Sequence, residues 1–158
     1  MSREGQWFDE DLAAEGYVAF VRGMRSLKAR FGFIVRVPKR RSHMLDVSAL
    51  VDPMKEDLIS MEEGYTWPGT RKGKRSQVFR FRLTSRAETQ LVSVAASLFE
   101  WGSRPLPEDL FFEREHGTAL LTTITHEKEG WLTVTRREAE VLRAASPALA
   151  AWPPLARS

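Results

Sequence analysis

The segment Gln77-Val-Phe-Arg-Phe-Arg-Leu83 constrains everything that packs around it. Strand side chains alternate between faces, so Phe79, Phe81 and Leu83 share one side while Arg80 and Arg82 take the other. One face therefore needs apolar cover, and the opposite face needs water or acids. The cover comes from helices. Tyr17, Val18, Phe20, Val21, Met24, Leu27 and Phe31 recur at three- and four-residue steps, which predicts a helix from about Asp9 to Arg30 stopped by Gly32. Ser85-Arg-Ala-Glu88 and Thr135-Arg-Arg-Glu138 have the form of capping boxes. They predict helices over Arg86–Trp101 and Arg136–Ala145, and Ser146-Pro147 opens a further short one.

Other strands are expected over Phe33–Val37, closed by Pro38, and over Trp131–Val134. Leu110–Arg114 and Thr118–Thr125 form a hairpin turning at His116-Gly117. Asp52-Pro53 reads as a helix start running to about Glu63, while Met44–Val51 fits either a strand or a helix. Gly64–Arg75 is the most loop-like stretch. The expected fold is α+β, a mainly antiparallel sheet with helices packed against it. It forms a single domain over residues 1–158, with loose tails at 1–8 and 153–158.

A chain of 158 residues with 10% aromatics has the material for one sizeable core. No apolar run approaches the ~20 residues that span a bilayer, so no membrane partner is expected. The opening Met1-Ser-Arg-Glu-Gly-Gln-Trp-Phe lacks a basic-then-apolar leader pattern. Cysteine is absent, which excludes disulfides, thiolate metal sites and cysteine nucleophiles. Together these features point to a cytoplasmic protein.

The net charge of +3 conceals a segregation of charge along the chain. Residues 22–43 hold eight bases and no acid, among them Arg36, Lys39, Arg40 and Arg41. Residues 71–86 hold seven bases and no acid: Arg71, Lys72, Lys74, Arg75, Arg80, Arg82 and Arg86. Between them, residues 44–63 carry six acids against Lys55. The basic blocks either pair with acids inside the fold or converge into a patch for a polyanion or an acidic protein.

Motifs for chemistry are absent. His43, His116 and His126 lack zinc-ligand spacing, and no cofactor is implied. Gly69–Ser76 fails as a phosphate-binding P-loop, because Pro68 and Arg75 occupy positions that need Gly and a hydroxyl. No Gly-x-Ser-x-Gly elbow occurs. An enzyme would need residues converging from distant positions. Basic and aromatic residues interleave in Lys74–Leu83, which suits nucleic acid, yet alternation turns Phe79 and Phe81 away from the arginines.

Leu106-Pro-Glu-Asp-Leu-Phe-Phe, the turn at His116-Gly117, Leu121-Thr-Thr-Ile-Thr-His-Glu and the capped helix ending near Leu142 resemble small bacterial toxin-immunity-type proteins. The resemblance implies a protein that neutralises a toxin by binding it, with no chemistry of its own. The leading expectation is thus a non-enzymatic, bacterial, protein-binding immunity or inhibitor protein. The alternatives are nucleic-acid binding through blocks 22–43 and 71–86, and an enzyme. Expected partner contacts are Tyr65, Trp67, Arg71, Lys72, Lys74, Arg75, Arg80 and Arg82, with a second basic patch at Arg36, Lys39, Arg40 and Arg41. Trp67 is equally suited to packing on the core as a lid beside Pro68.

Overall fold

The computed structural model describes residues 5–157. Seven strands form one antiparallel sheet: β1 (Gly5–Phe8), β2 (Arg30–Arg36), β3 (Leu58–Gly64), β4 (Ser76–Arg82), β5 (Glu108–Glu113), β6 (Ala119–Ile124) and β7 (Glu129–Thr133). Their order across the sheet is β1-β7-β6-β5-β2-β4-β3. The helices are α1 (Ala14–Ser26), α2 (Ser48–Val51), α3 (Ser85–Val94), α4 (Arg136–Ala145), α5 (Pro147–Ala151) and α6 (Pro153–Ala156). The fold is α+β, as the sequence predicts.

Strand alternation divides the residues as expected. Phe31, Phe33 and Val35 of β2, Phe81 of β4, and Leu110 and Phe112 of β5 join the helix side chains Phe20, Met24, Leu91, Leu142 and Leu149 in one buried cluster. Phe20 meets Phe112 edge-on at 5.4 Å, and Phe31 stacks on Phe81 at 5.1 Å. The buried Tyr17 hydroxyl donates to the Leu91 carbonyl at 2.8 Å and accepts from Trp101 Nε1 at 3.2 Å, so no polar atom of this pair is orphaned. Burial pushes the Tyr17 pKa up.

Several boundaries differ from the expectation. Helix α1 ends at Ser26, because Lys28 adopts φ 56° and the Ala29 amide bonds back to the Met24 carbonyl. Gly32 is therefore a strand residue and not a helix stop. A Cβ there would meet the Phe79 carbonyl oxygen at 2.1 Å and the Phe111 ring at 2.3 Å. The helix expected after Asp52-Pro53 is only a six-residue 3-10 stretch to Asp57, kinked at Met54, and the chain then becomes β3. Pairing with β4 overrides the helical reading of Leu58–Glu63. Met44–Val51 contains the short α2, held by Asp46 accepting from the Ser48 amide and hydroxyl.

Helix α3 is capped by Thr84, whose hydroxyl accepts from Ala87 N, and it ends at Val94 instead of Trp101. Its continuation turns extended at Ala95, where the Ala96 carbonyl accepts from Ala14 N. The second capping box is formed as written, with Thr135 and Glu138 bonding reciprocally. The described parts of the tails expected to be loose are packed instead. Gly5–Phe8 pairs with β7, and Pro154 and Leu155 are buried. Residues 1–4 and 158 lie outside the described residues.

Two carboxylates lock helix ends to the sheet. Asp57 takes the hydroxyl of Thr84 at 2.8 Å and the guanidinium of Arg86 at 3.1 and 3.2 Å. Burial opposes its ionisation, but these hydrogen bonds and the charges of Arg86 and Arg82 outweigh it and hold its pKa below the usual range. Glu138 is held low in the same way, burial being overcome by Arg114 at 2.6 Å and by the Thr135 amide. A carboxyl with a lowered folded pKa stabilises the fold above its unfolded value of about 4 and loses that contribution as pH falls through the folded value. Urea midpoints measured between about pH 6 and about pH 2 are expected to fall steadily below about pH 4. Asp57→Asn is expected to flatten that fall; an unchanged slope in the variant would contradict this assignment.

Candidate functional site

The sheet face opposite the helices is built from strands β2, β4 and β5. Arg30 faces Arg82, Gly32 faces Arg80, Ile34 faces Val78 and Arg36 faces Ser76 across the β2–β4 pair. On the other side of β2, Arg30 faces Glu113 and Gly32 faces Phe111. The two basic blocks thus lie side by side, because each contains a strand of the same antiparallel pair.

Glutamates join the blocks. Glu113, 2% exposed, approaches Arg30 Nε at 2.7 Å and accepts from Arg80 Nε at 3.0 Å. The Arg30 N–H is not aligned as a hydrogen bond, although its charge is neutralised there. Glu63 likewise takes Arg41 at 3.1 Å and Arg75 at 2.6 Å, and those hydrogen bonds hold its pKa low. Each of these two glutamates therefore binds one arginine from each basic block. Arg36 pairs with Glu108 at 3.1 Å, and Arg82 donates to the Glu56 carbonyl at 2.8 Å.

Segment 65–75 folds back over this face. Trp67 is 3% exposed and packs with Ile34, Val78 and Phe111 in a second, small apolar cluster. Its Nε1 donates to Asp109 at 3.1 Å, and Asp109 also accepts from the amide and hydroxyl of Thr125. Reciprocal backbone bonds between Trp67 and Thr70 close a turn in which Gly69 takes φ 90°. The indole lies against Gly73, where a Cβ would meet the ring at 2.1 Å. Arg36 stacks over Trp67 at 5.6 Å and Arg80 over Phe111 at 5.4 Å.

Of the two readings open for Trp67, the structure has the lid, so Trp67 is not an exposed contact. Arg80 is turned inward to Glu113, Arg36 to Glu108, and Arg41 and Arg75 to Glu63. Tyr65, 59% exposed, and Arg71, Lys72 and Lys74 remain accessible, as do Lys39 and Arg40. None of these five cations has an ion-pair partner among the described residues. Arg71, Lys72 and Lys74 line a cleft of about 490 Å³ with Arg36, Asp109 and His126. His126 sits in a 3-10 turn, 3.7 Å from Glu127.

Glu113, Glu108, Glu63 and Asp109 are site residues that sequence reasoning did not select. The alternation of β5 is the one signal that could have found Glu113. Among the described residues, no group of three or more His, Cys, Asp or Glu is placed to hold a metal ion. No helix there is long and apolar enough to cross a membrane. Comparison with protein-family models, curated proteins and solved structures gives no match.

Removing the buried counter-charge is costly, since two partly buried guanidinium groups lose their acid. Glu113→Gln is expected to lower unfolding free energy by on the order of 3 kcal/mol. Glu63→Gln, whose partners are half-exposed, is expected to change it far less, both read by urea denaturation. Gly73→Val is expected to displace the indole, so that amides of 65–75 exchange faster while those of β2 and β5 keep their protection.

Proposed function

We propose that this chain is a non-enzymatic protein-binding protein of the immunity or inhibitor kind, contacting its partner through the 65–75 loop and the basic face beside it. The observation that carries this reading is the contrast within the basic blocks. Arg30, Arg36, Arg41, Arg75 and Arg80 are neutralised by Glu63, Glu108 and Glu113, while Arg82 donates to the Glu56 carbonyl. The loop cations Arg71, Lys72 and Lys74 make no ion pair among the described residues, on a segment pinned to the sheet by Trp67. A pinned loop loses little conformational entropy on association, and exposed Arg and Tyr are the side chains that most often anchor protein interfaces. The unpaired cations favour an acidic partner.

Phe79 and Phe81 belong to the helix side of the sheet, so β4 offers no aromatic platform beside its arginines for base stacking. For that reason protein binding is preferred to nucleic-acid binding.

Arg71→Ala, Lys72→Ala and Lys74→Ala combined should leave the fold intact, because the three side chains make no ion pair among the described residues. With tagged full-length chain in cells of its native host, wild type is expected to retain a defined protein partner and the triple variant to lose it. Retention of DNA or RNA by wild type, falling steeply between about 50 mM and about 200 mM salt, would overturn the reading in favour of phosphate binding.

A further inference from the structure

The sheet has two edges, and they are treated differently. Beside edge strand β1, helix α6 packs and Arg157 donates to the Trp7 carbonyl at 3.2 Å. Such covering is a usual protection of an edge. The opposite edge is β3, seven residues long, bonded to β4 on one side only. The Leu58 amide bonds back to the Lys55 carbonyl, and no backbone hydrogen bond outside the β3–β4 ladder reaches Ser60–Gly64 among the described residues. A bulge at Ile59 disturbs its start, leaving Ser60–Gly64 in regular register with β4.

This edge carries exposed apolar side chains alongside the exposed acid Glu62. Ile59, Met61 and Tyr65 are three of the five exposed large hydrophobic residues of the described chain. Met61 faces Phe79, and Phe79 faces Phe33, so the three form a cross-strand row that ends at the edge strand. Phe33 and Phe79 stack at 5.2 Å, while Met61 is 44% exposed. Charge around the strand is uneven. Beyond Gly64 lie Arg71, Lys72 and Lys74, and Arg41 and Arg75 converge on Glu63 at the same end.

We infer that β3 accepts an extended segment of the protein partner as an eighth strand, with an apolar side chain opposite Met61 and acidic side chains where the segment passes Gly64. Main-chain hydrogen bonds to Ser60–Gly64 supply affinity, and the Phe33–Phe79–Met61 row and the nearby cations supply selectivity. Every pairing in the sheet is antiparallel, so the added strand runs antiparallel to β3 and carries its acids in its N-terminal half. A second copy of this chain fits less well, since antiparallel pairing would set its Leu58–Ser60, which carries no acid, beside Gly64.

The inference rests on the protein-binding reading and is tested separately from it. The probe is a synthetic, fluorescently labelled peptide with Glu in its first positions followed by alternating Val and Thr. Binding is expected to slow exchange of the Ser60–Gly64 amides. Met61→Lys, a substitution at an exposed side chain, is expected to weaken binding about tenfold, and so is replacing the peptide's Glu by Lys. Undiminished binding by Met61→Lys, or protection of other amides only, would overturn the edge site. A dimer in sedimentation that Met61→Lys abolishes would replace it with self-association, and protection of β3 by an oligo-dT strand would replace it with nucleic acid. Should Met61→Lys keep the cellular partner that the loop triple variant loses, the edge site falls and protein binding stands.

Discussion

Glu113 is the point at which the basic blocks are reconciled with a folded sheet. Strands β2 and β4 can lie together only if their arginines, brought to neighbouring positions on one face, are prevented from repelling each other. A buried carboxylate between Arg30 and Arg80 does this at 2.7 and 3.0 Å, and Glu63 repeats the arrangement at the strand ends with Arg41 and Arg75. A buried ion triad is not in itself a source of stability, because desolvation offsets much of the attraction. Its effect here is on arrangement: it favours the register in which β5 lies beside β2 and β2 beside β4.

The lid follows from the same geometry. Gly32 leaves space on the open face, and the Phe111 ring fills it. Phe111, Ile34 and Val78 then form a small apolar floor too close to charged groups to be left bare, and Trp67 closes over it. Asp109 fixes the indole nitrogen, Gly73 admits the ring, and Arg36 covers it from outside. Neutralised arginines lie near the lid, and unpaired cations remain on the loop that forms it. The proposed binding role therefore falls to the loop and to the sheet edge at its base, while the ion-paired arginines serve the fold.

Residues whose own periodicity is strong behave as the sequence predicts. Phe79 and Phe81 go to the helix side and Arg80 to the other, Thr135 and Glu138 cap α4, and Gly117 turns the β5–β6 hairpin at φ 99°. Elements lacking that independence are misread. Leu58–Glu63 carries acids and follows Asp-Pro, a helix-starting signal, yet it becomes β3 because β4 presents an unpaired ladder. Arg30, Phe31 and Gly32 leave the helix stripe for the same reason, since Phe31 finds Phe81 and Phe112 across the sheet. Gly5–Phe8 is too short to signal a strand and forms one against β7.

By itself, the sequence determined that the chain has an α+β fold and that one strand turns Phe79 and Phe81 to one face and Arg80 and Arg82 to the other. It also determined that the basic residues fall in two acid-free blocks. These are local properties, set by side-chain alternation and composition. Tertiary structure alone decided which bases meet an acid, because Glu63 and Glu113 reach them through strand pairing between segments far apart in the chain. It also decided that Trp67 is a lid and that, among the described residues, Arg71, Lys72 and Lys74 make no ion pair and β3 is an edge bonded on one side only. Each of these depends on which strand lies beside which, and that is fixed by long-range hydrogen bonding that no local pattern encodes.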